Sequence, residues 1–280
     1  MEHQPFSVAM SVYKNDSPVY FDRALESITD QQTIKPDEIV LVVDGPVPEE
    51  TNGIIEKYSK KYNLKAIRLE TNAGLGNALK IATESCSNEL IARMDSDDVA
   101  SADRFEQQLL FFAENPNVDI VGGDISEFVN DETNIVSYRV LPTSDKELKR
   151  FLKKRCPFNH MTVMFKRTSV FNAGGYLDLH YNEDYYLWVR MFLNDSCFAN
   201  TGSILVNVRV GENMYRRRGG KEYYRSEVFL QKFMLSKRII GRPRYYLNCS
   251  TRFFAQRLLP NRLRGFVFKR FARKNRKYEK

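Results

Sequence analysis

Asp95, Asp97 and Asp98 fall within four consecutive positions, Asp95-Ser96-Asp97-Asp98, directly after the apolar run Leu90–Met94. Three carboxylates so close repel one another, and such spacing is tolerated where a hard cation, a capped helix or solvent neutralises it. A divalent cation is one reading; a solvated loop whose aspartates cap a helix starting near Asp103 is another. An EF-hand is a third, since Glu106 stands twelve positions on, counting Asp95 as one. It fails because Ala100 occupies the sharp-turn position that needs glycine and a strand pattern precedes the loop. A second cluster, Asn72-Ala73-Gly74-Leu75-Gly76-Asn77-Ala78, joins a strand pattern to a helix pattern, where glycines let backbone amides approach a phosphate. It lacks the third glycine of a dinucleotide fingerprint and no Gly-Lys-Ser/Thr follows, so a dinucleotide site and a P-loop are unsupported, and a turn without a ligand stays open.

Asp44 closes the strand pattern in Leu41-Val42-Val43-Asp44-Gly45-Pro46, and Tyr13 closes the first one in Met10-Ser11-Val12-Tyr13. An acid and an aromatic at neighbouring strand ends suit hydrogen bonding to and stacking on a nucleobase; each alone also suits a turn or a rim. In Tyr181-Asn182-Glu183-Asp184-Tyr185-Tyr186-Leu187-Trp188, adjacent carboxylates open an apolar helix. They favour its positive end, or beside a metal–diphosphate site one of them acts as general base. Arg216-Arg217-Arg218-Gly219-Gly220 reads either as a loop that closes on phosphates or as a solvated basic turn. His3, His160 and His180 are scattered and cannot form a metal cage by themselves, although His160 suits a pocket lining. Without a Gly-x-Ser-x-Gly turn, serine hydrolase chemistry has no footing.

The elements that must position these groups alternate short apolar runs with amphipathic stretches, the pattern of βα units on a mostly parallel sheet. Strands are expected at Phe6–Val12, Glu38–Val43, Lys65–Leu69 and Glu89–Met94, and helices at Val19–Gln31, Pro48–Tyr62 and Gly74–Ser85. Beyond Asp98 come a helix at Asp103–Glu114, strands at Val118–Val129 and Ile135–Val140, and a short helix at Asp145–Lys154. A strand at Met161–Phe165, a helix at Glu183–Leu193 and a strand at Ile204–Val210 follow, making the sheet mixed. Helical patterns dominate after Val210, where we place a boundary between a catalytic domain, 1–210, and an extension, 211–280, that begins with the arginine cluster.

The 280 residues are 42% hydrophobic and 12% aromatic with 14 Gly and 10 Pro, so the chain builds a core and is not disordered. No window approaches a membrane-spanning length of apolar residues, and Met1 to Phe6 lacks a signal-peptide pattern, so a soluble or peripheral protein inside the cell is expected. Cys86, Cys156, Cys197 and Cys249 are widely separated and read as reduced thiols. From Arg242 to Lys280 there are thirteen Lys+Arg and one acid, Glu279, a local charge of +12 against −4 for the first 241 residues. A mildly acidic body with a basic, Phe-rich end fits an anionic membrane surface and not nucleic acid. Phe253, Phe254 and Leu258, then Leu263, Phe266, Val267 and Phe271, give that end two apolar clusters among its basic residues.

In order, Ser7-Val8-Ala9-Met10-Ser11-Val12-Tyr13, the Asp44-Gly45-Pro46 strand end, Asn72–Lys80, Ala92–Phe105 with its Asp-Ser-Asp-Asp, Gly174-Gly175-Tyr176 and Asn182–Met191 resemble glycosyltransferase family 2. The resemblance covers roughly residues 6–210 and is nearest in pattern to bacterial exopolysaccharide and O-antigen galactosyltransferases. It implies the α/β GT-A fold, a mostly parallel Rossmann-like sheet flanked by helices, here with a basic helical C-terminal extension. It implies transfer of a sugar, with inversion, from a nucleoside-diphosphate donor such as UDP-galactose to a glycan or polyprenyl-linked oligosaccharide on the cytoplasmic face of the membrane. Tyr13 and Asp44 then hold uracil, Asn72 and Gly74 border the nucleotide, and Asp95 contacts ribose or metal. Asp97 binds Mg²⁺ or Mn²⁺, Asp184 is the base with Glu183 as its one-residue alternative, and Arg216 and Arg217 face the diphosphate.

Two departures stand out. Leu79 and Lys80 occupy the place where many members carry an arginine, and the stretch Val210–Tyr215 lacks the metal-binding histidine that many members have after the last core strand. The arginine cluster is then the candidate for part of that neutralising charge. A nucleotidyltransferase, or an inactive nucleotide-sugar-binding partner of a polysaccharide assembly, are the competing readings.

Overall fold

The computed structural model describes residues 3–211 and 219–258. Its nine strands are β1 Phe6–Val12, β2 Glu38–Val43, β3 Leu64–Arg68, β4 Leu90–Arg93, β5 Val99–Ala100, β6 Ile120–Phe128, β7 Ile135–Arg139, β8 Met164–Lys166 and β9 Phe198–Arg209. The helices are α1 Pro18–Ile28, α2 Glu49–Ser59, α3 Leu75–Ser85, α4 Arg104–Glu114, α5 Asp145–Leu152, α6 Arg167–Asn172, α7 Glu183–Leu193, α8 Lys221–Ser236 and α9 Arg242–Phe253. One sheet runs β3-β2-β1-β4-β8-β6-β9-β5, with β7 beside β6. β3, β2, β1 and β4 are parallel to one another, as are β6 and β9; β8 sits antiparallel between β4 and β6.

The strands β1 and β2 are buried on both faces, as near-continuous Val/Ile/Leu/Ala/Met runs require. Their two-residue period splits the core into layers. Phe6, Val8, Met10 and Val12 of β1 join Ile39, Leu41 and Val43 of β2 in one layer, beneath Phe21 and Leu25 of α1 and Phe105 and Leu109 of α4. Ala9, Val40 and Val42 face the other layer, covered by Ala78, Leu79 and Ala82 of α3 and Leu187 and Trp188 of α7. Leu230 and Met234 of α8, with Ile239 and Ile240 after it, are buried in that second layer. α9 is tied on by Arg252 Nε to Glu227 at 2.7 Å and by Asn248 Nδ2 donating to the Lys153 carbonyl at 3.0 Å.

The expected elements recur with shifted ends, and four differ in kind. The strand expected at 204–210 begins at Phe198, because β6 offers a parallel partner along that length. The strand expected at 161–165 divides into a 3₁₀ turn, His160–Thr162, and β8. Thr162 explains the division, since its hydroxyl accepts the Gly123 N–H at 3.0 Å and donates to the Asn159 carbonyl at 2.8 Å. β5 and α6 have no strong pattern of their own and exist through tertiary pairing: Val99 and Ala100 against β9, and Val170 in the core. Among the described residues no helix is long and apolar enough to cross a membrane. Leu263, Phe266, Val267 and Phe271 lie outside the described residues.

Gly45 shows how tightly the strand ends are joined. It has φ +85°, and a Cβ there would lie 2.9 Å from the Asn72 amide nitrogen. Gly45→Ala therefore meets both left-handed strain and a backbone clash, and is expected to cost about 2–4 kcal/mol and lower the melting temperature by several degrees. Thermal denaturation checks this; a wild-type midpoint would contradict it.

Candidate active site

The sheet order puts the chemistry side by side. Asp44 follows β2, Tyr13 follows β1 and the acidic loop follows β4, and these are three adjacent parallel strands about 5 Å apart. The chain leaves β1 for β2 on one side and returns as β4 on the other, so the carboxyl end of β1 is a switch point where open α/β sheets bind ligands. Asp16 ties two of the ends together: its Oδ2 accepts the Tyr13 N–H at 3.1 Å and the Ser96 hydroxyl at 2.8 Å. Asp44 ties the third to the glycine turn. Its Oδ1 accepts the Ala73 N–H at 2.6 Å, and its Oδ2 accepts the Gly74 N–H at 3.1 Å and Asn72 Nδ2 at 3.0 Å. Of about four lone-pair positions on that carboxylate, three are occupied and one is left for a ligand donor.

The acidic loop is strapped in place. β5 pairs with Val206 and Asn207 of β9. Just beyond, Arg209 donates its backbone N–H to Asp98 Oδ1 at 2.9 Å and Nε to the Asp97 carbonyl at 3.3 Å. Oxygens of Asp95, Asp97 and Asp98 all lie within 4.8 Å of one another. Asp98 is 2% exposed, Asp95 and Asp97 are half-buried, and Asp103, at the start of α4, makes no side-chain cap bond. Burial, then the charges of Asp97 and Asp95, push the Asp98 pKa well above the usual carboxylate range. Three hard oxygen donors gathered this closely fit Mg²⁺ or Mn²⁺.

Beneath the loop lies Arg93, buried at the end of β4, with Nη2 2.5 Å from Asp95 Oδ1. Its Nε and Nη1 have no hydrogen-bond partner among the described residues. Burial opposes this charge, but Asp95, with Tyr176 and Asp98 beside it, holds the guanidinium above its ordinary pKa. Arg104 is buried nearby and donates to the Arg93 carbonyl at 2.7 Å; burial and then the Arg93 charge push its pKa down to about 9.

The Glu183–Asp184 pair opens α7 on the other side of Arg93. Asp184 Oδ1 accepts the Tyr185 N–H at 2.6 Å and Oδ2 faces the Cys156 thiol at 3.4 Å. Burial raises the Asp184 pKa against these bonds and against the Arg93 and Arg139 charges. Burial, then Asp184, push Glu183 up to about 7, while Arg93 pulls it down. α3 reaches this helix where a Cβ on Gly76 would stand 3.4 Å from Glu183 Cβ. Tyr176 lies within electrostatic reach of Asp95, Arg93, Glu183 and Asp184, and its hydroxyl is 2.8 Å from His160 Nε2. Burial, then Arg93, hold His160 well below its ordinary pKa, as a neutral ring. Arg190 of α7 fixes the turn before Tyr176, donating to the Ala173 and Gly175 carbonyls at 2.5 and 2.7 Å.

The structure joins Asp44 to Asn72 and Gly74, links Tyr13 to the acidic loop through Asp16, clusters Asp95 with Asp97, and sets Glu183 near Gly76 and, with Asp184, within electrostatic reach of Arg93; Arg216 and Arg217 lie outside the described residues. Sequence reading passed over Arg93, Arg209 and Cys156 as site groups and gave Asp98 and Tyr176 only as members of their motifs. An arginine closing an otherwise apolar strand directly before three acids was the available signal for Arg93.

The Glycosyl transferase family 2 description matches residues 7–175. A Haemophilus influenzae protein described as an uncharacterized glycosyltransferase is 40% identical over 269 residues, 96% of this chain and 99% of that one. An Escherichia coli UDP-Gal:alpha-D-GlcNAc-diphosphoundecaprenol beta-1,3-galactosyltransferase is 35% identical over 269 residues, 96% of this chain and 97% of that one. Among solved structures, S. aureus TarS 1-349 in complex with UDP-GlcNAc has a TM-score of 0.68 at 20% identity, covering 96% of this chain and 76% of that chain. This chain covers 44% of the longer TarS structure. The likeness to TarS is one of fold, and with the sheet order above it makes this chain an α/β GT-A structure.

The buried pair gives a pH test. A carboxylate whose folded pKa lies above its unfolded value favours the fold fully below about pH 4.5, and that contribution is lost as pH rises through about 7. Glu183→Gln is therefore expected to be more stable than wild type at pH 8, by roughly 2–3 kcal/mol, and to gain nothing at pH 4.5. Urea denaturation at the two pH values measures this, and an equal difference at both would contradict it.

Proposed function

The chain belongs to glycosyl transferase family 2, and from that premise we propose that it is an inverting, metal-dependent transferase that moves a sugar, galactose being the favoured one, from a UDP donor to a lipid-linked saccharide in polysaccharide biosynthesis. The observation that carries the reading is the position of Arg93, a buried cation within electrostatic reach of both the acidic loop and the Glu183–Asp184 pair. Groups suited to a diphosphate and groups suited to a proton thus belong to one site. The donor name of the E. coli relative and the UDP-GlcNAc in the TarS complex support a uridine nucleotide, and the diphosphoundecaprenol in the relative's name supports the acceptor.

In this reading the Tyr13 ring stacks on uracil, and Asp44 uses its remaining lone pair to accept the base N–H. Asn72 and Gly74, held by Asp44, border the nucleotide. Asp95, fixed by Arg93, faces the ribose or the cation, and Asp97 is its principal ligand, with Asp98 completing the oxygen donors. When bound, the cation neutralises the negative charge that develops on the leaving diphosphate. Asp184 takes the acceptor hydroxyl proton as that oxygen forms a bond to the anomeric carbon and the bond to the diphosphate breaks on the opposite face, which inverts configuration. A base with a raised pKa is matched to proton transfer near neutrality. Arg216 and Arg217 keep their proposed place at the diphosphate, and the enzyme works at the cytoplasmic face of the membrane, where a polyprenyl-linked acceptor is presented.

Product analysis with UDP-sugars and Mn²⁺ tests the function directly. A transferase releases UDP, a nucleotidyltransferase releases pyrophosphate, and an inactive binder releases neither. EDTA on wild type, and Asp97→Ala, are expected to abolish most donor binding and turnover; full activity in EDTA would contradict metal dependence. Asp184→Asn is expected to keep donor affinity while transfer falls by roughly a hundredfold or more. Should Glu183→Gln be the inactive variant and Asp184→Asn active, the base is Glu183.

A further inference from the structure

On α9 and at its C-terminal end, Tyr246, Leu247, Phe253 and Phe254 are 66%, 53%, 39% and 59% exposed. Their spacing, i, i+1, i+7 and i+8, completed by exposed Ser250 at i+4, is that of one helix face. The opposite face of the same helix is the one that packs, through buried Asn248 and Cys249 and the Arg252–Glu227 ion pair. Phe253 lies 5.6 Å from the half-buried Tyr224 ring and 6.0 Å from Phe254 between centroids. Arg242 is exposed and Arg244 half-exposed along this helix, Arg257 is exposed in the turn that follows it, and Lys237 and Arg238 are exposed at its approach. Among the described residues none of these five forms an ion pair. No acid occurs in the sequence from Val228 to Tyr278.

We propose that this face of α9 docks on an anionic lipid bilayer, with Tyr246, Leu247, Phe253 and Phe254 entering the headgroup–acyl boundary and Arg242, Arg244 and Arg257 pairing with lipid phosphates. The inference rests on the reading above only for placing the acceptor in the membrane. Charge selects the occupant. A second copy bound through the same face would set arginines against arginines, and the sequence after Leu258 carries nine Lys+Arg and one acid, so neither complements this surface. A surface of amphipathic aromatics beside basic side chains has the two features by which interfacial helices bind anionic membranes, apolar insertion and phosphate attraction. The side of α9 that packs on the catalytic body faces away from this patch, so docking leaves the core contacts intact.

The test is sedimentation of the full-length chain with vesicles of phosphatidylcholine alone or with phosphatidylglycerol added. Wild type is expected to bind only the anionic vesicles, less so as salt rises. Joint replacement of Tyr246, Leu247, Phe253 and Phe254 by Ser, and separately of Arg242, Arg244 and Arg257 by Gln, are each expected to weaken binding about tenfold or more, with UDP-sugar hydrolysis unchanged. The Gln variant alters no apolar contact and decides the matter if the Ser variant does not fold. Failure of wild type to bind anionic vesicles, or wild-type binding by the Gln variant, would overturn the proposal. So would a dimer that the Ser variant abolishes, or binding to an oligonucleotide in place of vesicles. Vesicle binding by a protein that turns over no UDP-sugar would leave the surface standing and remove the functional reading instead.

Discussion

The burial of one cation, Arg93, is the constraint on which the site depends. Three carboxylates after β4 and two at the start of α7 put five acids around one end of the sheet. Burial penalises the charged forms of Asp98, Glu183 and Asp184, and neighbouring carboxylates add to the effect at Asp98 and Glu183. Arg93 works against that trend for all of these groups that it reaches. It pairs directly with Asp95 and pulls down the pKa values of Asp98, Glu183 and Asp184. Its own charge is costly to bury, and it survives because Asp95, Tyr176 and Asp98 together favour the charged form. The unpartnered Nε and Nη1 leave it underused as a hydrogen-bond donor, which is consistent with a role set by charge.

The rest of the fold serves to hold partners around that cation. The switch at β1 brings Asp44, Tyr13 and the acidic loop to neighbouring strand ends, Asp16 joins two of them, and Gly45 permits the approach to the 71–72 backbone. β9 crosses to pair with β5 and delivers Arg209 to the loop, so a segment of four polar residues is fixed by a strand more than a hundred positions away. α7 brings the carboxylate pair and, through Arg190, the turn that carries Tyr176. Binding groups fixed before a ligand arrives lose little freedom on binding it.

Much of this was legible in the chain because it is local. The βα alternation follows from two- and 3.6-residue periods, and the acidic loop and the Glu183–Asp184 pair are visible as residue types at element ends. What escaped is what tertiary contact decides. β8 inserts antiparallel between β4 and β6, and β5 is two residues long; neither follows from its own pattern. Asp44 reads as a ligand for a base, yet most of its hydrogen-bonding capacity is spent on the 72–74 turn, a contact between segments 28 to 30 positions apart. Arg93 was hidden because its significance is burial, and a sequence displays an arginine without displaying how far it is from water.

Arg93 acts electrostatically on both the acidic loop and the Glu183–Asp184 pair, the two groups that the proposed function assigns to the diphosphate and to the proton. The most direct measurement is the pH dependence of transfer by Arg93→Met, a neutral side chain of similar length, with folding confirmed by its melting curve. Removing the cation raises the pKa of the carboxylate that serves as base in the proposed function, so the acidic limb of the rate profile should move to higher pH. A folded, active variant whose acidic limb stays at the wild-type position would contradict the account.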